Sequence, residues 1–123
     1  ALPPDTNIIK PMERSFTEPL DKKNTNIILC RFVLSEDCIR LEAFSVSLIC
    51  RVLGNPTEII RFDGSAREEV NVHRLYVKPP SKHYLAREKT IETLEDFCEN
   101  LRTNWREYLL RYRENYSITE NVI

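Results

Sequence analysis

The stretch Thr90–Asn115, TIETLEDFCENLRTNWREYLLRYREN, has the most regular apolar pattern in this sequence of 123 residues. Its apolar side chains recur at alternating steps of three and four, the spacing of one face of an α-helix. They are Ile91, Leu94, Cys98, Leu101, Trp105, Tyr108 and Tyr112, and Phe97 and Leu109 widen the stripe. Thr90 is a suitable N-cap. We predict a helix from Ile91 to about Asn115, whose stripe packs on a sheet and whose last turns project towards a partner chain.

Four segments before this helix have the composition of β-strands, because they are rich in Ile, Leu, Phe and Val and are bounded by turn residues. The predicted strands are 26–35, 38–54, 58–64 and 68–77. In the second, the alternation of apolar residues changes phase between Ala43 and Phe44, which predicts a β-bulge. Strands grouped ahead of a helix favour an α+β fold, here an antiparallel meander of about four strands with one long C-terminal amphipathic helix packed on one face.

Residues 1–25 carry four prolines among polar residues and have no sustained period. Because proline fixes φ and removes a backbone donor, this composition predicts an irregular N-terminal arm. A single α+β domain over residues 26–123 follows it.

The net charge of −1, from 18 basic and 19 acidic residues, argues against broad electrostatic binding to nucleic acid and leaves room for a local basic face. No apolar run approaches the roughly 18 residues of a membrane span, and residues 1–26 lack the order of a signal peptide. We therefore expect a cytoplasmic protein without membrane contact. The absence of Gln, the single Met and the 30% of charged residues are typical of a thermophile.

No cofactor or metal site is predicted. Nucleotide-binding loops, HExxH and GxSxG are absent, and the chain has two glycines in all. Without a CxxC motif, a structural zinc site is not expected. Cys30, Cys50 and Cys98 lie among apolar residues and are predicted to be buried thiols.

Both histidines lie in Arg61–Tyr84, RFDGSAREEVNVHRLYVKPPSKHY. A simple hairpin about Gly64 places Asp63 and His73 on the same face, where the carboxylate fixes the tautomer of the imidazole. A base, an acid and nearby cations are the parts that metal-independent RNA cleavage needs. The candidate catalytic residues are His73, Asp63 and His83, and the candidate substrate-binding residues are Arg61, Arg74, Lys82, Tyr84 and Arg87. The alternative is a solvated polar face of the sheet, with His83 on a loop.

This region resembles the TumE-like family, small toxins of prokaryotic toxin–antitoxin pairs. The resemblance covers residues 58–102 and is carried by Phe62-Asp63, His73, Tyr84 and Asp96-Phe97. It implies a strand–hairpin–helix order, action on RNA or translation, and an antitoxin-like protein partner.

Two hypotheses of function follow, and the sequence leaves open whether the chain is an enzyme. The first is a small toxin-like protein that acts on RNA or translation and is neutralised by a partner. The second is a non-enzymatic interaction module, a homodimer that uses the long C-terminal helix or an edge of the sheet. Clustering of the four candidate cations on one face would favour the first.

Overall fold

The computed structural model describes residues 12–119. These residues form one antiparallel sheet of six strands, whose order in space is their order in the sequence, and one helix. The elements are β1 (Met12–Pro19), β2 (Asn26–Leu34), β3 (Leu41–Val52), β4 (Asn55–Gly64), β5 (Asn71–Arg74), β6 (Ser81–Tyr84) and α1 (Ile91–Asn115). The predicted α+β class, antiparallel meander and long C-terminal helix are confirmed. No helix within residues 12–119 has the length and apolar character needed to cross a membrane.

The predicted count of about four strands is too low, because β1 and β6 were not foreseen. The prediction of an irregular arm over residues 1–25 is wrong for the part that the structure describes, since Met12–Pro19 form a strand that pairs with β2 along its whole length. Residues 1–11 and 120–123 lie outside the described residues. Ser81–Tyr84 pair with β5, so His83 lies on a strand and not on the predicted loop.

The two longest strands, β3 and β4, are joined by a two-residue turn at Leu53 and Gly54. Both residues have positive φ, 51° and 79°, which is the geometry of a type I′ hairpin turn and matches the twist of the flanking strands. Glycine adopts this conformation without steric cost. The turn therefore fixes the register of the central hairpin of the sheet.

A β-bulge sets which side chains of β3 face the helix. Leu34 pairs with Leu41 and Val33 pairs with Ala43, so Glu42 is the extra residue. The predicted change of phase is thus present, close to the predicted position. The side chains that it directs under α1 are Phe44, Val46, Leu48, Cys50 and Val52, all buried.

The helix begins where the sequence predicts, with Oγ1 of Thr90 accepting a hydrogen bond from the Thr93 amide at 3.1 Å. Its stripe packs on β3 and β4. Phe97 stacks on Phe62 with ring centroids 4.3 Å apart, and Leu101 is fully buried. Burying a side chain of this size contributes about 1.5–3 kcal/mol, so the stripe is an interior surface of this chain.

The last turns of α1 do not project, contrary to the prediction. Asn115 Nδ2 donates to the Tyr76 carbonyl oxygen at 2.6 Å, and the hydroxyl of Tyr116 bonds to the carbonyl oxygens of Leu75 and Val77 at 3.3 and 3.1 Å. The segment after β5 therefore folds back onto the end of the helix and extends the surface on which it packs.

No disulfide joins any of the four cysteines, all of which lie within the described residues. Cys30, Cys50 and Cys98 are buried, as predicted, and Cys38 is exposed in the connection between β2 and β3.

Candidate functional site on the open face of the sheet

The open face is the side of the sheet turned away from α1, and no other described helix or strand covers it. Side chains from β3, β4 and β5 alternate onto this face because adjacent residues of a strand point to opposite sides. Asp63 pairs with Asn71 and Arg61 pairs with His73. The register predicted for this hairpin is therefore the observed one.

The predicted contact between Asp63 and His73 is present. Nε2 of His73 lies 3.3 Å from Oδ2 of Asp63, and the same carboxylate oxygen accepts a hydrogen bond from Nε of Arg61 at 3.0 Å. The side chains of His73 and Asp63 are 21% and 19% exposed. Solvent or a ligand can therefore reach the pair without displacing any described element.

Glu58 and Ser47 complete the cluster beside Arg61. The second guanidinium nitrogen of Arg61 pairs with one oxygen of Glu58, and the Ser47 hydroxyl donates to the other oxygen at 2.8 Å. Arg61 is thus held between two carboxylates. This fixes its orientation and neutralises much of its charge in the absence of a ligand.

A second polar cluster lies next to the first, built by β6 and the connection between β4 and β5. Lys82 pairs with Glu68, and the Tyr84 hydroxyl donates to Oε1 of Glu68 at 3.0 Å. The hydrogen bond from Lys82 holds the pKa of Glu68 below its usual value. Tyr84 is 59% exposed, and Nζ of Lys82 lies 5.2 Å from the centre of its ring. The ring is available for stacking.

A groove of about 300 Å³ lies beside Asp63 on the same face. Val33 and Ala43 supply apolar surface, and Arg31, Asp63 and Glu68 supply charged groups. This volume is at the lower limit of small-molecule sites. It suits one nucleobase or one side chain of a partner.

Three of the eight predicted site residues do not join this cluster. Arg74 pairs with Ile60, and His83 pairs with Val72, so both point to the side of the sheet that α1 covers. Arg87 donates to Asp96 at 2.6 Å near the start of the helix. The four candidate cations are therefore divided between two sides of the molecule.

Sequence reasoning missed Glu58, Ser47 and Glu68. Glu58 and Arg61 are three residues apart, which in a regular strand would place them on opposite faces. A shift in the pairing of β3 with β4 between Leu48 and Ile49 brings both onto the open face. Ser47 could have been predicted, because the register of the hairpin formed by β3 and β4 places it opposite Arg61.

Within residues 12–119, no group of three or more His, Cys, Asp or Glu side chains is arranged to hold a metal ion.

One polar atom on the open face is buried without a hydrogen-bond partner in the part of the chain that the structure describes. Asn71 is completely buried, its Nδ2 donates to the Glu69 carbonyl oxygen at 3.0 Å, and its Oδ1 has no hydrogen-bond partner among the described residues.

Fold and site together define a small α+β protein with one covered and one open sheet face, the open face carrying a His–Asp–Arg cluster. Residues 10–118 match the family profile DUF7718, a domain of unknown function. The chain belongs to that family. No curated protein and no solved structure gives a significant match.

Proposed function

We propose that the open face is an acid–base site that acts on RNA, with His73 as the general base. The observation that supports this most directly is the 3.3 Å contact between Nε2 of His73 and Asp63 on an accessible face. A carboxylate beside Nε2 favours the tautomer with its proton on that nitrogen. Nδ1 is then the atom that takes a proton.

The chemistry that fits these groups is transesterification of a phosphodiester. The 2′-hydroxyl of a ribose gives its proton to Nδ1 of His73, its oxygen forms a bond to phosphorus, and the bond to the 5′-oxygen breaks. The leaving 5′-oxygen takes a proton from solvent. Asp63 keeps the imidazole in orientation and stabilises the imidazolium that forms.

Arg61 is the cation nearest to this reaction. Ion pairs at the exposure of Arg61 and Glu58 contribute about 0–1 kcal/mol, so a phosphate can compete with Glu58 for the guanidinium. The charge-assisted bonds that replace this pair would then stabilise the dianionic transition state. Tyr84 offers a stacking surface for a base beside the scissile bond.

Its cellular role would be that of a small toxin-like protein neutralised by a protein partner. The resemblance of Phe62-Asp63, His73 and Tyr84 to the TumE-like pattern supports this role. The open face is a surface that such a partner can cover.

The test uses the two histidines as a matched pair. We expect the purified protein to cleave a fluorescent single-stranded RNA in the presence of a metal chelator, and not the same sequence with 2′-O-methyl riboses. His73→Ala should lower the rate by about 10²–10⁴-fold, the usual share of a general base. His83→Ala removes a histidine that points to the other side of the sheet and should leave the rate unchanged.

Absence of cleavage by the native protein would exclude this reaction. Equal loss of activity in the two histidine variants would exclude His73 as the specific base. Circular dichroism spectra of all three proteins establish that the comparison is between folded chains.

The division of the cations between two sides of the sheet favours a second candidate, a non-enzymatic interaction module. The helix stripe is covered by the sheet, so it is not available as a seam between two chains. The edge of β2 is also covered, by β1. The surfaces that remain to such a module are the open face and the outer edges of the sheet.

A further inference from the structure

Strand β1 is a long edge strand with little protection. Its residues from Glu13 to Thr17 are all exposed, and no described strand pairs with its outer side. The opposite edge, β6, has four residues and follows two prolines, which limit pairing. The unpaired backbone groups of β1 are thus the main template for pairing with another chain within residues 12–119.

The pairing of β1 with β2 decides which backbone groups face outwards. The Leu20 amide donates to the Asn26 carbonyl oxygen at 2.8 Å, and successive residues of a strand direct their N–H and C=O groups to opposite sides. Even-numbered residues of β1 therefore bond to β2, and Glu13, Ser15 and Thr17 present their groups outwards. Pro19 also faces outwards, where its missing N–H removes no bond to β2.

We propose that β1 pairs antiparallel with β1 of a second copy of this chain, about a two-fold axis at Phe16, to form a continuous twelve-stranded sheet. The inference does not rest on the proposed RNA chemistry, because Arg14, Phe16 and Glu18, whose side chains match across this axis, lie on the helix side of the sheet and not on the open face.

Few registers are possible for this pairing. Residues whose backbone N–H and C=O groups face outwards must lie opposite residues of the second copy whose backbone groups also face outwards. A two-fold axis at Phe16 places Ser15 opposite Thr17 of the second copy, with reciprocal backbone hydrogen bonds. It also places Arg14 opposite Glu18, twice, and Phe16 opposite Phe16. Opposite charges and paired aromatics at directly opposed positions both stabilise a sheet.

The neighbouring registers lack this complementarity. An axis at Ser15 places Arg14 opposite Phe16, and an axis at Thr17 places Phe16 opposite Glu18. Each of them leaves Arg14 without its carboxylate and sets an aromatic ring against a charge. The sequence Arg14-Ser15-Phe16-Thr17-Glu18 is self-complementary about its centre alone.

The surroundings accommodate a second copy. Helix α1 packs on β3 and β4, which places it about two strand spacings, roughly 10 Å, from the edge. Phe16 is 40% exposed and contacts Phe32 edge-on at 6.4 Å, so pairing buries a four-ring cluster at the axis. Glu18 is held in place by two hydrogen bonds from Arg102, at 2.7 and 2.9 Å. Arg14 has no ion-pair partner among the described residues.

The first experiment is sedimentation equilibrium of the native protein and two Thr17 variants. The native protein should have the mass of a dimer. Thr17→Pro removes an outward N–H and no bond to β2. The dissociation constant of the dimer should rise about 100-fold. The change is present in both copies, so it removes two hydrogen bonds between the chains, and each bond is equivalent to about a tenfold change in affinity.

Thr17→Ala changes the same side chain, keeps the N–H and should remain dimeric. A native protein that is monomeric at every concentration overturns the proposal, and so does a Thr17→Pro protein with native affinity. Retained circular dichroism shows that the proline variant is folded. Failure here leaves the His73 test unaffected, since that test reads RNA cleavage.

The second experiment reads the register. Single cysteines replace Ser15, Phe16 or Thr17 in a Cys30→Ala, Cys38→Ser background, because Cys30 lies opposite residue 16 within the same chain. Copper phenanthroline with oxygen removes two electrons and two protons from each thiol pair. Directly opposed residues lie within the distance that a disulfide spans. Phe16→Cys should cross-link fastest. Faster cross-linking of Ser15→Cys or Thr17→Cys overturns the axis at Phe16.

Discussion

At the scale of single residues, the four thiols differ in the access that a reagent has to them. Burial raises the pKa of Cys50 to about 12, and contact with Cys98 together with burial raises the pKa of Cys30. Because the thiolate is the reactive form, a raised pKa and burial both slow attack on a reagent. Cys38 is exposed.

We therefore expect one fast thiol per native chain with an aryl disulfide reagent at pH 8, and three more after unfolding in guanidinium. Cys38→Ser should remove the fast phase. Cys98→Ser, which changes a buried thiol, should leave it in place. Two or more fast thiols in the native protein would contradict the buried positions of Cys30, Cys50 and Cys98.

The contact between Asp63 and His73 could be predicted, because a single turn joins their two strands. The alternation of side chains along each strand then places both residues on the same face of the sheet. Glu58 could not be, since its position beside Arg61 depends on a β-bulge that no residue type marks. Arg74, Arg87 and His83 were placed with the cluster because they are near it in sequence. Parity and the ion pair of Arg87 with Asp96 place them elsewhere.

At the scale of elements, the N-cap of α1 is a local device with a measurable contribution. Thr90 Oγ1 satisfies the Thr93 amide, which has no partner within the helix. Thr90→Ala should lower the free energy of unfolding by about 1 kcal/mol, measured as a shift of the urea midpoint.

Thr103→Ala is the matched control, because Thr103 is exposed in the middle of the same helix. Alanine has the higher helix propensity there, so this change should leave stability equal or slightly raised. Equal losses in the two variants would show that the cap contributes nothing specific.

The helix and the central strands were predictable, and the edge strands were not, for one physical reason. Elements that bury a face carry an apolar period that the sequence displays, as α1 and β3 do. β1 carries Phe16 as its one aromatic residue among charged and polar ones, and β6 reads Ser-Lys-His-Tyr. β1 and β6 form because the backbones of β2 and β5 have free hydrogen-bonding groups with which they pair. The signal for each edge strand therefore lies in its neighbour and not in its own residues.

At the scale of the whole molecule, the sheet has a stable centre and two edges held by different contacts. β3 and β4 each pair on both sides and lie under α1. β5 and β6 have four residues each, and the hydroxyl of Tyr116 reaches the segment between them. The end of the helix therefore anchors one edge of the sheet to the core.

Amide hydrogen exchange tests this arrangement, because it measures the opening of each part of the structure separately. We expect the amides of β3, β4 and the middle of α1 to exchange last. Tyr116→Phe keeps the ring, which stacks on Tyr112, and removes the bonds to Leu75 and Val77. Loss of about 1 kcal/mol from these bonds should speed exchange in residues 71–84 roughly fivefold while the slowest amides of β3 change little. If the amides of β3 and β5 exchange faster by the same factor, the two strands open together. The end of the helix then stabilises the whole fold and not this edge alone.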